Sequence, residues 1–370
     1  MSPAVVIMLV ASLVAASCAL VGSFLVLRKM ALLGDAISHA VLPGIAIAFL
    51  WTGNRAALPM VLGAGALGVL TVFLVEMFHK SGRLKEDASI GVVFPALFSI
   101  GVIMISRYAS QVDLDLDCVL YGEIAYAPWD LLLLGNSSYG PKALWVTGGV
   151  FLLVLGLVLA FYKELKISTF DPELAGSLGF SPVLLHYLLM TAVSITVVGS
   201  FESVGAILVV AMLVVPPATA YLLTDRLSRM LLLAVALGVA SAVGGYGLAR
   251  WLDCSIAGAM ATLAGGLFVL ALAASPRHGL LSKMLTHRRM AERLAGQLLL
   301  LHLEPGGRGV SPQMLLERFG WRPARLERVT RRLIRAGWVE RRSEGLRLTD
   351  DGARVLEASG GEILAHRLAG

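Results

Sequence analysis

The chain has 370 residues, 57% hydrophobic and only 15% charged, well below the roughly 25% charge of soluble domains. That balance excludes an ordinary water-soluble enzyme over most of the length and points to an integral membrane protein. The net charge of +6 is unevenly spread. Residues 1–276 carry 13 Lys and Arg against 15 Asp and Glu, and residues 277–370 carry 18 against 10, so two domains of different class meet near residue 276.

Apolar runs near the ~20 residues that a helix needs to cross a bilayer fall at 4–27, 31–52, 57–79, 88–106, 143–162, 183–200, 203–223, 229–250 and 254–274. The first run has no basic residue ahead of it. Its first positive charges, Arg28 and Lys29, come after it, so it reads as a retained span and not as a cleaved signal. Gly199–Ser203 could instead be a re-entrant corner, which would leave eight spans in place of nine. Segment 108–142 is too polar to cross. Arg28, Lys29, Lys80, Arg83, Lys85, Lys163, Lys166, Arg226, Arg229 and the basic run 277–289 fall on alternate connections, against only Arg55, Arg107, Lys142 and Arg250 on the others. The positive-inside rule puts the first set in the cytoplasm. Cys18, Cys118 and Cys254 form no CxxC pair, so they read as apolar filler.

Within the second run, Asp35 and His39 stand in Leu33–Gly44. Four residues apart, they share one helix face. Both are costly in lipid, which marks a functional site. A carboxylate and an imidazole together suit a divalent cation of the manganese–iron–zinc group. A buried ion pair that only fixes packing is the alternative. Ser38 could be a third ligand or a helix–helix hydrogen bond, and Pro43-Gly44 would kink the helix just beyond the pair. Glu202, His186 and Asp253 are weaker candidates. The outer-loop acids Asp113, Asp115, Asp117, Glu123 and Asp130 would raise local cation concentration, or form a solvated loop or a docking surface for a soluble partner.

Four stretches carry a family resemblance: Leu33–Leu50, Lys85–Gly91, Thr169–Phe180 and Ser203–Ala220. Together they resemble, in the expected order over roughly residues 5–275, the membrane permease subunits of ABC-type manganese/zinc/iron uptake systems. The resemblance implies a bacterial inner-membrane subunit that works as a homodimer or beside a paralogue. It implies a separate cytoplasmic ATP-binding subunit and an extracytoplasmic metal-binding protein. It matches Asp35 and His39 to that family's intramembrane metal ligands for a transported manganese, iron or zinc ion, with no permanently bound cofactor. It matches Asp171, Pro172, Glu173, Leu174 and Leu178 to the segment that docks on the ATPase. Asp171-Pro172-Glu173 also reads independently as a helix start. No GxxxxGK[ST] motif occurs, so ATP hydrolysis belongs to another subunit and the chain itself is not an enzyme.

Beyond a 276–286 linker, residues 287–370 show three helical patterns: Met290–Leu303, Ser311–Phe319 and Trp321–Ala336. Two short strands, Trp338–Arg342 and Gly345–Thr349, and a helix from Asp350 follow. Three helices and a β-hairpin make a winged helix. The expected core includes Leu294, Leu298, Leu301, Leu315, Phe319, Leu326, Val329, Leu333, Val339, Leu346 and Leu348. Arg322, Arg325, Arg328 and Arg332 on the third helix suit phosphate contacts. Leu333–Leu356 resembles the DNA-binding domain of iron/manganese-dependent repressors related to diphtheria toxin repressor. In those proteins His-Arg-Leu-Ala continues into a metal-binding domain, whereas here His366–Ala369 is followed by Gly370, which argues against metal sensing. The same arginines could meet DNA, an acidic ATPase surface or anionic lipid.

The expected architecture is an all-α polytopic membrane protein of eight or nine transmembrane helices with a small cytoplasmic α+β winged-helix domain. The expected function is the permease of an ATP-driven metal importer. A membrane-tethered, DNA-binding regulator is the alternative. An anchor would need neither the Asp35–His39 pair nor the coupling segment.

Overall fold

The computed structural model describes residues 2–52, 57–80, 85–108, 123–134, 137–275, 294–303, 310–342 and 345–356. Asp113, Asp115, Asp117, Cys118, the 276–286 linker and His366–Ala369 lie outside the described residues. The chain divides into two compact units, Met1–Gly279 and Leu280–Gly370.

In the first unit the helices are α1 (Pro3–Leu27), α2 (Ala31–Ala40), α3 (Leu42–Thr52), α4 (Ala57–Lys80), α5 (Glu86–Tyr108), α6 (Lys142–Ala160), α7 (Tyr162–Phe170), α8 (Pro172–Ser177), α9 (Pro182–Val204), α10 (Ala206–Leu223), α11 (Leu227–Leu252) and α12 (Ile256–Ala274). A short hairpin, β1 (Leu131–Leu134) with β2 (Ser137–Pro141), precedes α6. Nine stretches among the described residues are long and apolar enough to cross a membrane, with α2 and α3 together making one of them. Helix α1 is the hub and packs against α6, α9, α10 and α11. Its Val10, Val14, Cys18, Val21 and Phe24 are fully buried. Close approach rests on small residues. A Cβ on Gly22 would lie 1.9 Å from the Leu213 carbonyl, and one on Gly44 would lie 2.3 Å from the Gly63 carbonyl.

The eight-span alternative fails at Gly205. Residues 199–203 are regular helix, and the chain turns only at Gly205, with φ +80°. Only glycine adopts that conformation without cost. At the start of α9, His186 meets Arg28. At its end, Glu202 pairs with Lys142, the first residue of α6. Helix α10 then returns, so that Tyr221 lines a cleft with Leu27 and the Leu222 carbonyl accepts from Ser275, just past α12, at 2.6 Å. Each of α9 and α10 therefore runs the full way between opposite ends. Trp51, Trp129, Trp145 and Trp251 are 60–89% exposed and all lie at the end opposite Arg28. Exposed tryptophans gathered at one end are what an aromatic belt at a membrane–water boundary requires.

The second unit has α13 (294–301), α14 (Pro312–Phe319), α15 (Pro323–Arg335), an antiparallel hairpin of β3 (Val339–Arg342) and β4 (Gly345–Leu348), and α16 (350–356). Helix α15 starts at Pro323, two residues later than the pattern from Trp321 predicts, because Trp321 stacks on Phe319 at 4.8 Å before the chain turns. Leu315, Leu326, Val329, Leu333, Val339 and Leu346 are core as expected. Leu294, Leu298 and Leu301 are not. They are exposed, and α13 buries Ala295, Leu299 and Leu300 instead, with Leu303 just after it. In a run of four consecutive leucines, period alone does not choose the face.

Candidate metal site and coupling segment

Helix α2 buries Leu33, Gly34, Ala36, Ile37, Ser38 and Ala40. Asp35 and His39 are the polar exceptions. Their side chains are 51% and 34% exposed, and the Asp35 Oδ1 to His39 Nε2 distance is 3.7 Å. The imidazole leans on α5, with the Phe94 ring 5.5 Å away and the Phe98 ring edge-on at 6.2 Å. These two rings, four residues apart, hold it toward the open side. Ser38 is fully buried and donates to the Gly34 carbonyl at 2.9 Å. Its bond stays within its own helix and is not the helix–helix bond that the sequence suggests.

The helix breaks directly after the pair. Pro43 has no N–H to give the His39 carbonyl, and its ring crowds that carbonyl. The Gly44 amide turns to the Val41 carbonyl at 2.9 Å in place of Ala40. The carbonyls of His39 and Ala40 lose their helical donors, and the negative end of the α2 dipole lies beside the imidazole. A cation is favoured there. Among the described residues no three His, Cys, Asp or Glu gather into a ligand set. Asp35 and His39 are two donor side chains, fewer than the four or more ligands that divalent metals take.

The second cluster lies at the Arg28 end. Helix α8 starts as its sequence predicts: Asp171 Oδ1 accepts from the Leu174 amide at 2.9 Å, and Pro172 takes the first position. It closes at Gly179, φ +85°, with Phe180 N–H donating to the Ala175 carbonyl and Gly179 N–H to the Gly176 carbonyl, a Schellman cap. Ala175 is the buried anchor. Glu173 is exposed, and Phe170, Leu174 and Leu178 leave large apolar side chains open to solvent.

Of the weaker candidates, Glu202 and Asp130 both face Lys142, Glu123 and Asp253 are exposed, and Asp253 caps α11 with φ +52°. His186 contacts Arg28. Two residues escaped the sequence reading. Arg28 looked only like a topology marker. Glu76, a carboxylate inside α4, hydrogen-bonds Tyr187 of α9, and its charge within an apolar run was the available signal. In the second unit, Arg322 just before α15 and Arg325, Arg328 and Arg332 on it are all exposed, and Arg325 lies over the Trp321 ring at 5.1 Å.

The model of the ABC 3 transport family matches residues 2–275. The chain belongs to this family. It is the membrane component of a transporter and not an enzyme. The manganese transport system membrane protein MntD of Bacillus subtilis is 50% identical over 284 residues, covering 77% of this chain and 96% of that relative. The zinc transport system membrane protein TroD of Treponema pallidum is 44% identical over 358 residues, covering 95% of this chain and 97% of the relative. Among solved structures, PsaBC from Streptococcus pneumoniae in complex with Fab superposes with a TM-score of 0.61 at 30% identity. It covers 74% of this chain and 91% of that one. The ABC 3 permease region thus accounts for nearly the whole of MntD, while the match to TroD extends through the tail.

Proposed function

We propose that the chain is the membrane-spanning subunit of an ATP-driven importer of a divalent transition metal: manganese, zinc or iron. The observation that carries this reading is the outward-facing Asp35–His39 pair on an otherwise buried intramembrane helix. A second permease copy, identical or paralogous, facing the first would bring two carboxylates and two imidazoles around one ion. Oxygen and nitrogen donors without thiolate fit these three metals. The family and the named relatives support an ATPase partner and an extracytoplasmic metal-binding protein. The apolar patch of Phe170, Leu174 and Leu178 beside Glu173 is the ATPase contact, on the cytoplasmic side by the charge rule. The belt end with the β1–β2 hairpin faces the binding protein.

The tail is a cytoplasmic winged helix of residues 287–370, joined by the 276–286 linker. Its helix order, hairpin and separate core support that reading, and its arginine face fits phosphate groups. Uptake of manganese, zinc and iron in a transport-deficient cell tests the main reading. Asp35→Ala and His39→Ala should each cut uptake at limiting metal by more than about tenfold, the loss seen even for outer-shell partners of metal ligands. The ATPase should still co-purify. Near-normal uptake by both variants would remove the assignment.

A further inference from the structure

We infer that Arg28 is the positioning residue that joins the ATPase-docking segment to the helix bearing the metal ligands. This rests on reading Phe170–Leu178 as the ATPase contact. Arg28 caps α1, three residues before α2 and seven before Asp35. The corner that holds it is stiff. Lys29 N–H donates to the Val26 carbonyl at 3.1 Å and Met30 N–H to the Leu25 carbonyl at 2.9 Å, with Lys29 in the left-handed region at φ +63°.

From this corner one guanidinium reaches two other elements. Nη2 donates to Ser168 Oγ at 2.9 Å, Nε to Thr169 Oγ1 at 3.2 Å, and Nη1 to His186 Nδ1 at 3.3 Å. Ser168 and Thr169 form the last turn of α7, just ahead of the Asp171 cap. His186 sits in the second turn of α9. Facing a guanidinium, which has no acceptor, Nδ1 can only accept, so the imidazole carries its proton on Nε2. All three partners are neutral, and burial pulls the guanidinium pKa below its ordinary value. Charge neutralisation does not explain these contacts. The rigid planar fork does, because it fixes direction as well as distance.

A push on α8 therefore reaches the α1–α2 corner through hydrogen bonds between rigid helices, the kind of physical chain that carries coupling. Asp35 is about one turn into the helix that starts there.

The test uses the full chain with its own ATPase subunit in proteoliposomes, with Mn²⁺ as probe. Arg28→Gln should assemble normally, keep the wild-type half-saturating Mn²⁺ concentration, and move about tenfold less Mn²⁺ per ATP hydrolysed, within the range that coupling mutations reach. The double variant Ser168→Ala, Thr169→Val should fall in the same direction with the charge intact. Arg28→Lys, with one prong of the fork, should recover part of the loss. An unchanged Mn²⁺-to-ATP ratio in either Arg28→Gln or the double variant overturns the inference. If Arg28→Gln does not assemble, the double variant decides. If neither assembles, Arg28 is a folding residue and the inference is wrong. Glu173→Arg separates the two readings. It should release the ATPase, and if it transports normally the docking assignment fails whatever Arg28 does.

Discussion

Two side chains on α2 stay open while every small or apolar neighbour from Leu33 to Ala40 is buried. A lone carboxylate and imidazole facing lipid would be expensive, so that opening calls for a partner surface or an ion. The pair was legible in the sequence because charge in an apolar run needs no tertiary context to stand out. Arg28 was not, since an arginine just beyond a span looks the same whether it faces water or a neighbouring helix. Lys29 shows what that corner costs. It occupies the left-handed position of a Schellman cap, where glycine is the usual residue, at a penalty of about 1 kcal/mol for an L side chain. Lys29→Gly should therefore raise the apparent unfolding temperature of the detergent-solubilised protein by about 2 °C and leave Mn²⁺ uptake unchanged. A lower unfolding temperature would mean that the lysine side chain itself holds the corner.

At the scale of the element, the break between α2 and α3 is the feature with most consequence. The Pro43-Gly44 dipeptide announced a kink, but its effect falls upstream, where proline strips the His39 carbonyl of its donor and Gly44 bonds Val41. The discontinuity leaves carbonyl oxygens and a helix C-terminus beside the proposed ligands, as in other transporters that use broken helices to hold cations. Pro43→Ala restores the missing donor and favours one continuous helix by up to about 3 kcal/mol. The carbonyls would then be taken up again. Mn²⁺ uptake should fall about tenfold, equivalent to losing about 1.4 kcal/mol of cation stabilisation, with the ATPase still bound. Unchanged uptake would show that the side chains act without the break. Elsewhere the element boundaries that sequence chemistry specifies are those with a capping residue. Asp171 and Ser311 each accept the expected amide. Faces were illegible where the pattern was saturated, as along α13, and the α9–α10 turn needed the contacts of Glu202 and Ser275 to settle its direction.

At the scale of the whole molecule, the chain divides into units at Gly279 and Leu280, and the basic excess is concentrated in the second. The two units are built differently. The first buries small residues between helices and keeps aromatic rings at one boundary, while the second has a compact leucine–valine core and an arginine-studded helix. MntD is matched over 96% of its length by 284 residues, so a permease of this family is whole without such a tail, although TroD is matched through it. A chain truncated after residue 279 should therefore assemble with the ATPase and import Mn²⁺ at the full-length rate. The tail's own activity is a separate measurement. Four exposed arginines, Arg322 just before α15 and Arg325, Arg328 and Arg332 on it, would neutralise about four phosphates, giving a slope near −4 in log affinity for duplex DNA against log salt. Arg328→Gln should reduce that slope by about one. A flat salt dependence in the full-length protein would exclude DNA as the ligand of this face. Loss of uptake on truncation, with assembly also lost, would instead make the tail a second contact for the ATPase.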